Sequence, residues 1–365
     1  MFRIHPKRWF QVLTLLGAFS PPPAALAQYY FTAIDPPGSI STQALGLNDK
    51  GVIVGAYSDA SGVSYGFVDD NGAFTQLAPS SGASCGSLAG ICNQAWGVNN
   101  AGAVVGLFFT SDGAEHGFLY SNGNYTTFTQ LDAPGAEGTA AFGVSNNGIV
   151  VGQVQESSSD IGFTYDISTE QYSTFSLPGL PAGVTFVPFG INDSDEVVGS
   201  YVGPPTITPN PGGGGVTVTF GPTYTFLYTL GSSSYTLLPQ DPDAVVGPLE
   251  GTLGSGINDV GDLAGNYTVD GDVGFGFLPF AYLDGAYVNF SVFLPSDPSV
   301  DNSGADGINN LGDIVGYYSS APDGEFEGFL ATPVPEASSW AMALLGFAAL
   351  GFVGHRARAP RLLRA

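Results

Sequence analysis

Between Gln28 and Pro335 the chain holds a single basic residue, Lys50, against 31 of its 32 acids. The remaining positive charge sits at the two ends, on Arg3, Lys7 and Arg8 and on Arg356, Arg358, Arg361 and Arg364. So acidic a body repels nucleic acid and anionic lipid, which excludes both as partners of residues 28–332. It suits a solvated exported domain, or one that takes up divalent cations. Cysteine is scarce as well. Cys85 and Cys92 flank a glycine- and serine-containing loop, and neither a C-x-x-C spacing nor further ligands point to redox or zinc chemistry. In an oxidising compartment the pair reads as a local disulfide, which stabilises by at most about 2–3 kcal/mol.

Long apolar runs are confined to the ends. Residues 1–27 have the layout of a secretory signal peptide, with Arg3, Lys7 and Arg8 before an apolar stretch from Trp9 to Phe19 and Ala25-Leu26-Ala27 as the cleavage site for signal peptidase. No cysteine follows that site, which argues against a lipoprotein anchor. In residues 333–365, Val334-Pro335-Glu336-Ala337 leads into an apolar run from Trp340 to Val353 and then the basic tail. This order resembles the PEP-CTERM sorting signal, although Ala337 stands where that signature usually has Pro. The resemblance implies a Gram-negative exported protein. It would be held briefly in the inner membrane by a C-terminal hydrophobic helix, its sole membrane contact, then processed by an exosortase and delivered to the envelope, the surface or the medium. The alternative is an ordinary C-terminal anchor. The apolar run is short for a span of about 20 residues, and the basic tail would stay on the cytoplasmic side.

The body repeats itself. The phrase Gly46-Leu47-Asn48-Asp49-Lys50-Gly51-Val52-Ile53-Val54-Gly55 recurs from Gly97, Gly143, Gly190, Gly256 and Gly307. Glycine holds the first and tenth places throughout, and the sixth except at Asp195. Asn holds the third place as Asn48, Asn99, Asn192, Asn258 and Asn309, with Ser145 the exception. Such a period marks a repeat architecture. In the second copy, short strands read at 95–99, 103–108, 116–120 and 125–131, separated by Asn- and Gly-rich turns. Four short antiparallel strands per unit make a propeller blade. Gly-Phe recurs in the third strand at Phe67, Phe118, Phe163, Phe277 and Phe329, and Thr225-Phe226 replaces it in the fourth copy after an insertion at 202–222 with a small hairpin near Val216 to Phe220. The sixth copy lacks a fourth strand. Phe31-Thr32-Ala33-Ile34-Asp35-Pro36-Pro37-Gly38 copies Phe128 to Gly135 and supplies it. The expectation is an all-β, six-bladed propeller closed by its N-terminal strand, which removes an exposed sheet edge. The phrases resemble the HAF-repeat family of exported bacterial proteins over residues 31–331, a likeness that brings no catalytic residues with it.

Chemistry is hard to find in this pattern. His116, the one body histidine, occupies a place held elsewhere by Tyr65, Ile161, Phe275 and Glu327, which reads as packing or an edge, and no nucleophile motif accompanies it. Glu156, Glu170, Glu196, Glu250, Glu325 and Glu327 share no repeat position, whereas glycoside hydrolysis needs a facing pair. Tyr57, Tyr120, Tyr201, Tyr228, Tyr267 and Tyr318 read first as blade packing. Asp49, Asp193 and Asp259, with Asp195 and Asp262 nearby, could ligate Ca²⁺ through oxygen. No copy matches an EF-hand loop, however, and the favoured reading is an Asx turn with no metal. The function that follows is a non-enzymatic surface or extracellular-matrix protein, associated with exopolysaccharide. A propeller glycan hydrolase or lyase and a calcium-stabilised adhesin are the alternatives.

Overall fold

A computed structural model describes residues 29–77, 92–110, 113–121, 128–131, 135–156, 161–181, 184–209, 216–269, 277–290, 302–319 and 325–334. The signal-peptide region, Cys85 and the sorting segment from Pro335 onward lie outside the described residues, as does the C-terminal helix expected there.

Six four-stranded antiparallel sheets follow one another as six blades. Blade one is Ser39–Leu47, Val52–Asp59, Ser64–Asp70 and Ala73–Leu77, and blade two is Asn93–Val98, Val104–Phe109, Glu115–Tyr120 and Phe128–Leu131. Blade six takes three strands from the end of the body, Asn302–Ile308, Ile314–Ser319 and Glu327–Pro333, and its fourth from the beginning, Tyr29–Ile34. Ile34 stands opposite Gly328, as Leu131 stands opposite Gly117 in blade two. The sequence copy is thus also a structural one, and it closes the ring. The 202–222 insertion in blade four carries a separate two-stranded ribbon, Thr206–Pro209 with Val216–Thr219.

The core is a set of seams between blades. Val54, Val68, Ala95, Val104 and Phe118 join blades one and two. Ile34 and Val315 of blade six meet Ala44, Leu47 and Phe67 of blade one, so the closing seam is as apolar as the others. One phenylalanine per blade is buried at an equivalent place. Phe67, Phe118, Phe163, Phe226, Phe280 and Phe329 are all fully buried and stand opposite the tenth-place glycine. In blade five this corrects the sequence expectation. Phe280, preceded by Pro279, takes the equivalent place, and Phe277 pairs with Thr268 at the strand's start. A Gly-Phe pair three residues early masked the register.

The phrase glycines answer two different demands. At the first place, the innermost strands of adjacent blades touch. A Cβ on Gly307 would lie 3.1 Å from the Gly46 Cα across the closing seam, and one on Gly97 would lie 2.6 Å from the Phe142 carbonyl oxygen. At the sixth place the backbone is left-handed in every copy, including Asp195 at φ +59°. Asp tolerates that conformation better than most residues do, because its short side chain can bond locally.

Candidate functional site

Two rings of side chains encircle the central channel at one end. The buried third-place residues form the inner ring. Each Asn side chain closes its own turn, its Oδ1 accepting two backbone N–H groups, as Asn48 does from Lys50 and Val52 at 3.0 Å each. Its Nδ2 then donates to the third-place carbonyl of the next blade. The links run Asn48 to Asn99 (2.9 Å), Asn99 to Ser145 (3.0 Å), Asn192 to Asn258 (3.2 Å), Asn258 to Asn309 (3.1 Å) and Asn309 back to Asn48 (3.2 Å). Ser145 keeps only the local bond, accepting from Ile149 N at 3.2 Å, because its hydroxyl is too short to cross to blade four. These residues were singled out in the sequence as turn formers. Their crossing from blade to blade was not visible there.

The fourth-place residues form the outer ring, which is unbroken. Each backbone N–H donates to the side-chain oxygen of the next blade at 2.7–3.0 Å, from Asp49 through Asn100, Asn146, Asp193, Asp259 and Asn310 back to Asp49. Asn100 and Asn310 also donate their amides to Asp49 Oδ2 at 2.7 and 3.0 Å. Burial alone would raise the Asp49 pKa, but the hydrogen bonds from Asn100 and Asn310 outweigh it and hold the carboxyl below its ordinary value. Lys50 Nζ donates to Asn100 O at 2.6 Å on the same rim. The space enclosed at this end is about 70 Å³. Among the described residues, no three His, Cys, Asp or Glu side chains are placed to hold a metal. Asp49, Asp193 and Asp259 accept hydrogen bonds between blades, and Asp262 accepts from Asn258 within its own blade.

The other end of the channel has a different construction. In each blade the ladder between the first two strands slips at the residue before the first glycine. A bulge re-aims its extra residue, and here the six bulge residues, Leu45, Trp96, Phe142, Phe189, Ser255 and Asp306, line one cavity of about 80 Å³. Trp96, Phe142 and Phe189 pack with ring centroids 5.1–6.5 Å apart. Asp306 is half-buried as a residue, yet its Oδ2 is shielded and unpartnered, as is Trp96 Nε1. Burial pushes the Asp306 carboxyl up to about 7, and Asp306 in turn adds to burial in raising Tyr317. Sequence reasoning missed this ring, because the residue before the glycine varies among the copies and carries no repeat signal.

The other candidate residues lie away from the channel. His116 stacks on Phe108 at 5.2 Å with its Nε2 3.3 Å from Thr110 Oγ1. None of the six glutamates lines either channel end. Glu327 hydrogen-bonds with Tyr318 on the adjacent strand. Tyr120, Tyr201, Tyr228, Tyr267 and Tyr318 are buried in blades. Cys92 is disulfide-bonded, and the sequence has one other cysteine. Val334 is exposed at the end of the described residues, where Pro335, Glu336 and Ala337 follow.

Residues 333–358 match the PEP-CTERM protein-sorting motif. No curated protein matches the chain in sequence. Solved structures similar to it include the six-bladed β-propeller lectin of Aleuria aurantia, with 10% identity, coverage of 86% of this chain and 98% of that one, and a TM-score of 0.43. Oligogalacturonate lyase in complex with manganese has 9% identity, coverage of 86% and 98%, and a TM-score of 0.41. TolB from Acinetobacter baumannii has 13% identity, coverage of 76% of this chain and a TM-score of 0.43, and the chain spans only 63% of its length. Among the described residues no helix is long and apolar enough to cross a membrane. The sorting motif implies export to the cell envelope or surface and processing by an exosortase.

Proposed function

We propose that the protein is a non-enzymatic surface or matrix protein that associates with exopolysaccharide and holds a hydroxylated sugar unit at the bulge-lined end of its channel. The observation that carries this reading is the division between the two channel ends. The repeated polar side chains are engaged in bonds from blade to blade, while the six bulges present three aromatic rings beside a carboxylate, an indole N–H and a hydroxyl. Aromatic faces pack on the apolar face of a sugar, and convergent polar groups fix its hydroxyls. The repeat phrases resemble those of exported HAF-repeat proteins, and an N-terminal signal peptide fits the C-terminal sorting motif.

The test is the mass and location of the mature protein in its own host, followed by co-sedimentation with the host's exopolysaccharide. Loss of both end segments and Trp96-dependent co-sedimentation are expected. A full-length protein retained in membranes, or one that leaves the polysaccharide in solution, would overturn the reading. A second reading, a lyase, is favoured by Asp306, whose raised pKa suits a proton-transferring group at neutral pH. No other carboxylate lines that cavity, so hydrolysis by two facing carboxylates lacks its partner. Shortened, unsaturated glycan products that disappear in Asp306→Asn would establish it instead.

A further inference from the structure

Residues 238–251 carry the chain from the last strand of blade four, Thr236–Leu237, to the first of blade five, Thr252–Ile257. The segment is fastened down. Gln240 Nε2 donates to Thr223 O, and Asp241 N to Thr252 Oγ1, both at 2.8 Å. Within it Asp241 is 2% exposed. Its Oδ1 accepts from Asp243 N at 2.7 Å and from Asn289 Nδ2 at 3.0 Å, and the same Asn289 nitrogen donates to Asp243 Oδ2 at 2.8 Å. Asn289 ends the outermost strand of blade five, Ala286–Asn289.

Two oxygens in this cluster, Asp241 Oδ2 and Asn289 Oδ1, are buried without a hydrogen-bond partner. Both are acceptors, so neither satisfies the other. Among the described residues the only basic side chain is Lys50, which is engaged at the channel rim. A buried carboxylate that lacks a counter-charge and leaves one oxygen without a donor is costly and asks for a cation.

We propose that Asp241, Asp243 and Asn289 bind a Ca²⁺ ion that staples the inter-blade segment to the outer strand of blade five. The donors are all hard oxygens, the set that Ca²⁺ prefers. The amide of Asn289 reverses readily, since its oxygen and nitrogen differ only in the partners they choose. Reversed, its oxygen stands where Nδ2 now does, 3.0 and 2.8 Å from the two carboxylate oxygens. That spacing fits neighbouring ligands of an ion bound at about 2.3–2.6 Å. Asp243 is solvent-exposed, so water completes the shell. This site is separate from the phrase acids and independent of the glycan reading.

The purified protein, stripped with a chelator, is titrated with CaCl₂ to about 10 mM, the upper end of what extracellular Ca²⁺ sites need. Tm is followed, and Tb³⁺ emission sensitised by nearby tyrosine serves as a second readout. Wild type is expected to gain at least about 3 °C and to show Tb³⁺ emission that Ca²⁺ displaces. Asp243→Asn, an exposed change that leaves the fold intact, should abolish both effects, while Asp49→Asn in the channel ring should keep them. Unchanged Ca²⁺ effects in Asp243→Asn, no effect in wild type, or equal stabilisation by NaCl at matched ionic strength would each overturn the site.

Discussion

Replacing Asn309 by Ala removes the bond that joins the last phrase to the first. The side chain is 4% exposed. It accepts from Leu311 N and Asp313 N at 2.9 Å each, and donates to Asn48 O and Asp313 Oδ2 at 3.2 Å each. Three of these four partners are backbone groups, and each such bond contributes a net of about 1 kcal/mol. The fourth is partly solvated and adds little. The expected loss is therefore about 3 kcal/mol, or roughly 5 °C in Tm for a domain of this size. Asn309→Ser should lose about 1 kcal/mol less, because Ser145 shows that a hydroxyl at this place still holds the i+4 N–H. Urea unfolding followed by the fluorescence of Trp96, the one tryptophan between residues 28 and 332, measures both. The midpoint should move with the slope unchanged, since the surface exposed on unfolding is the same. If Asn309→Ala costs less than about 1 kcal/mol, or no more than Asn310→Ala on the exposed outer ring, the inner ring is not what holds the closure together, and the reasoning fails.

Three further outcomes follow from individual departures in the repeat. Ser145→Asn should stabilise by about 1 kcal/mol, by supplying the missing bond to the Asn192 carbonyl and a second local N–H contact; a loss in urea midpoint would show that the turn cannot accommodate the amide. Asp195→Gly should gain about 0.5–1 kcal/mol, because Asp195 bears a left-handed φ that glycine adopts freely; no gain would mean that the Asp side chain compensates. Asp306 makes stability depend on pH: its folded pKa of about 7 lies well above the ordinary value of an aspartate, about 4. Between those values the native state keeps a proton that the unfolded chain has lost, so stability falls as pH rises from about 4 to about 7, by at most about 1.4 kcal/mol per pH unit. Asp306→Asn should remove that component, read as the difference between the two pH profiles of the urea midpoint.

The blades were legible because their defining residues recur and their causes are local. Asn-Gly turns, a buried Val-Val-Gly strand and a Gly-Phe strand each follow from short-range rules, and the copied Phe31 to Gly38 strand could be matched by eye. Blade five was misread because Gly276-Phe277 satisfies the pattern while Phe280 satisfies the packing. Choosing between them needs the register against Gly265, which is a tertiary fact. The channel was less legible still. Asn48 is recognisable as a turn former from four neighbouring residues, but its bond to Asn99 spans 51 positions, and that of Asn309 to Asn48 spans 261. The cluster of Asp241, Asp243 and Asn289 has no repeat counterpart, so periodicity gave no reason to look there.

The bulge explains why constancy and variety sit next to each other in the phrase. The first-place glycine is pinned by the neighbouring backbone, and the fourth place must be Asp or Asn to accept the preceding blade's N–H. The residue just before the glycine stands outside the ladder, so its side chain can change without breaking a strand pair. Across six blades it is Leu45, Trp96, Phe142, Phe189, Ser255 and Asp306. The glycine and Asn positions therefore carry ring closure, and the bulge positions carry whatever chemistry the channel performs. Substituting Phe142 should loosen its contacts with Trp96 and Phe189 yet leave both hydrogen-bonded rings intact, whereas substituting Asn99 should weaken the ring without altering the lining. Ligand affinity and stability should accordingly separate between the bulge and the third place, which in every phrase lie only three positions apart.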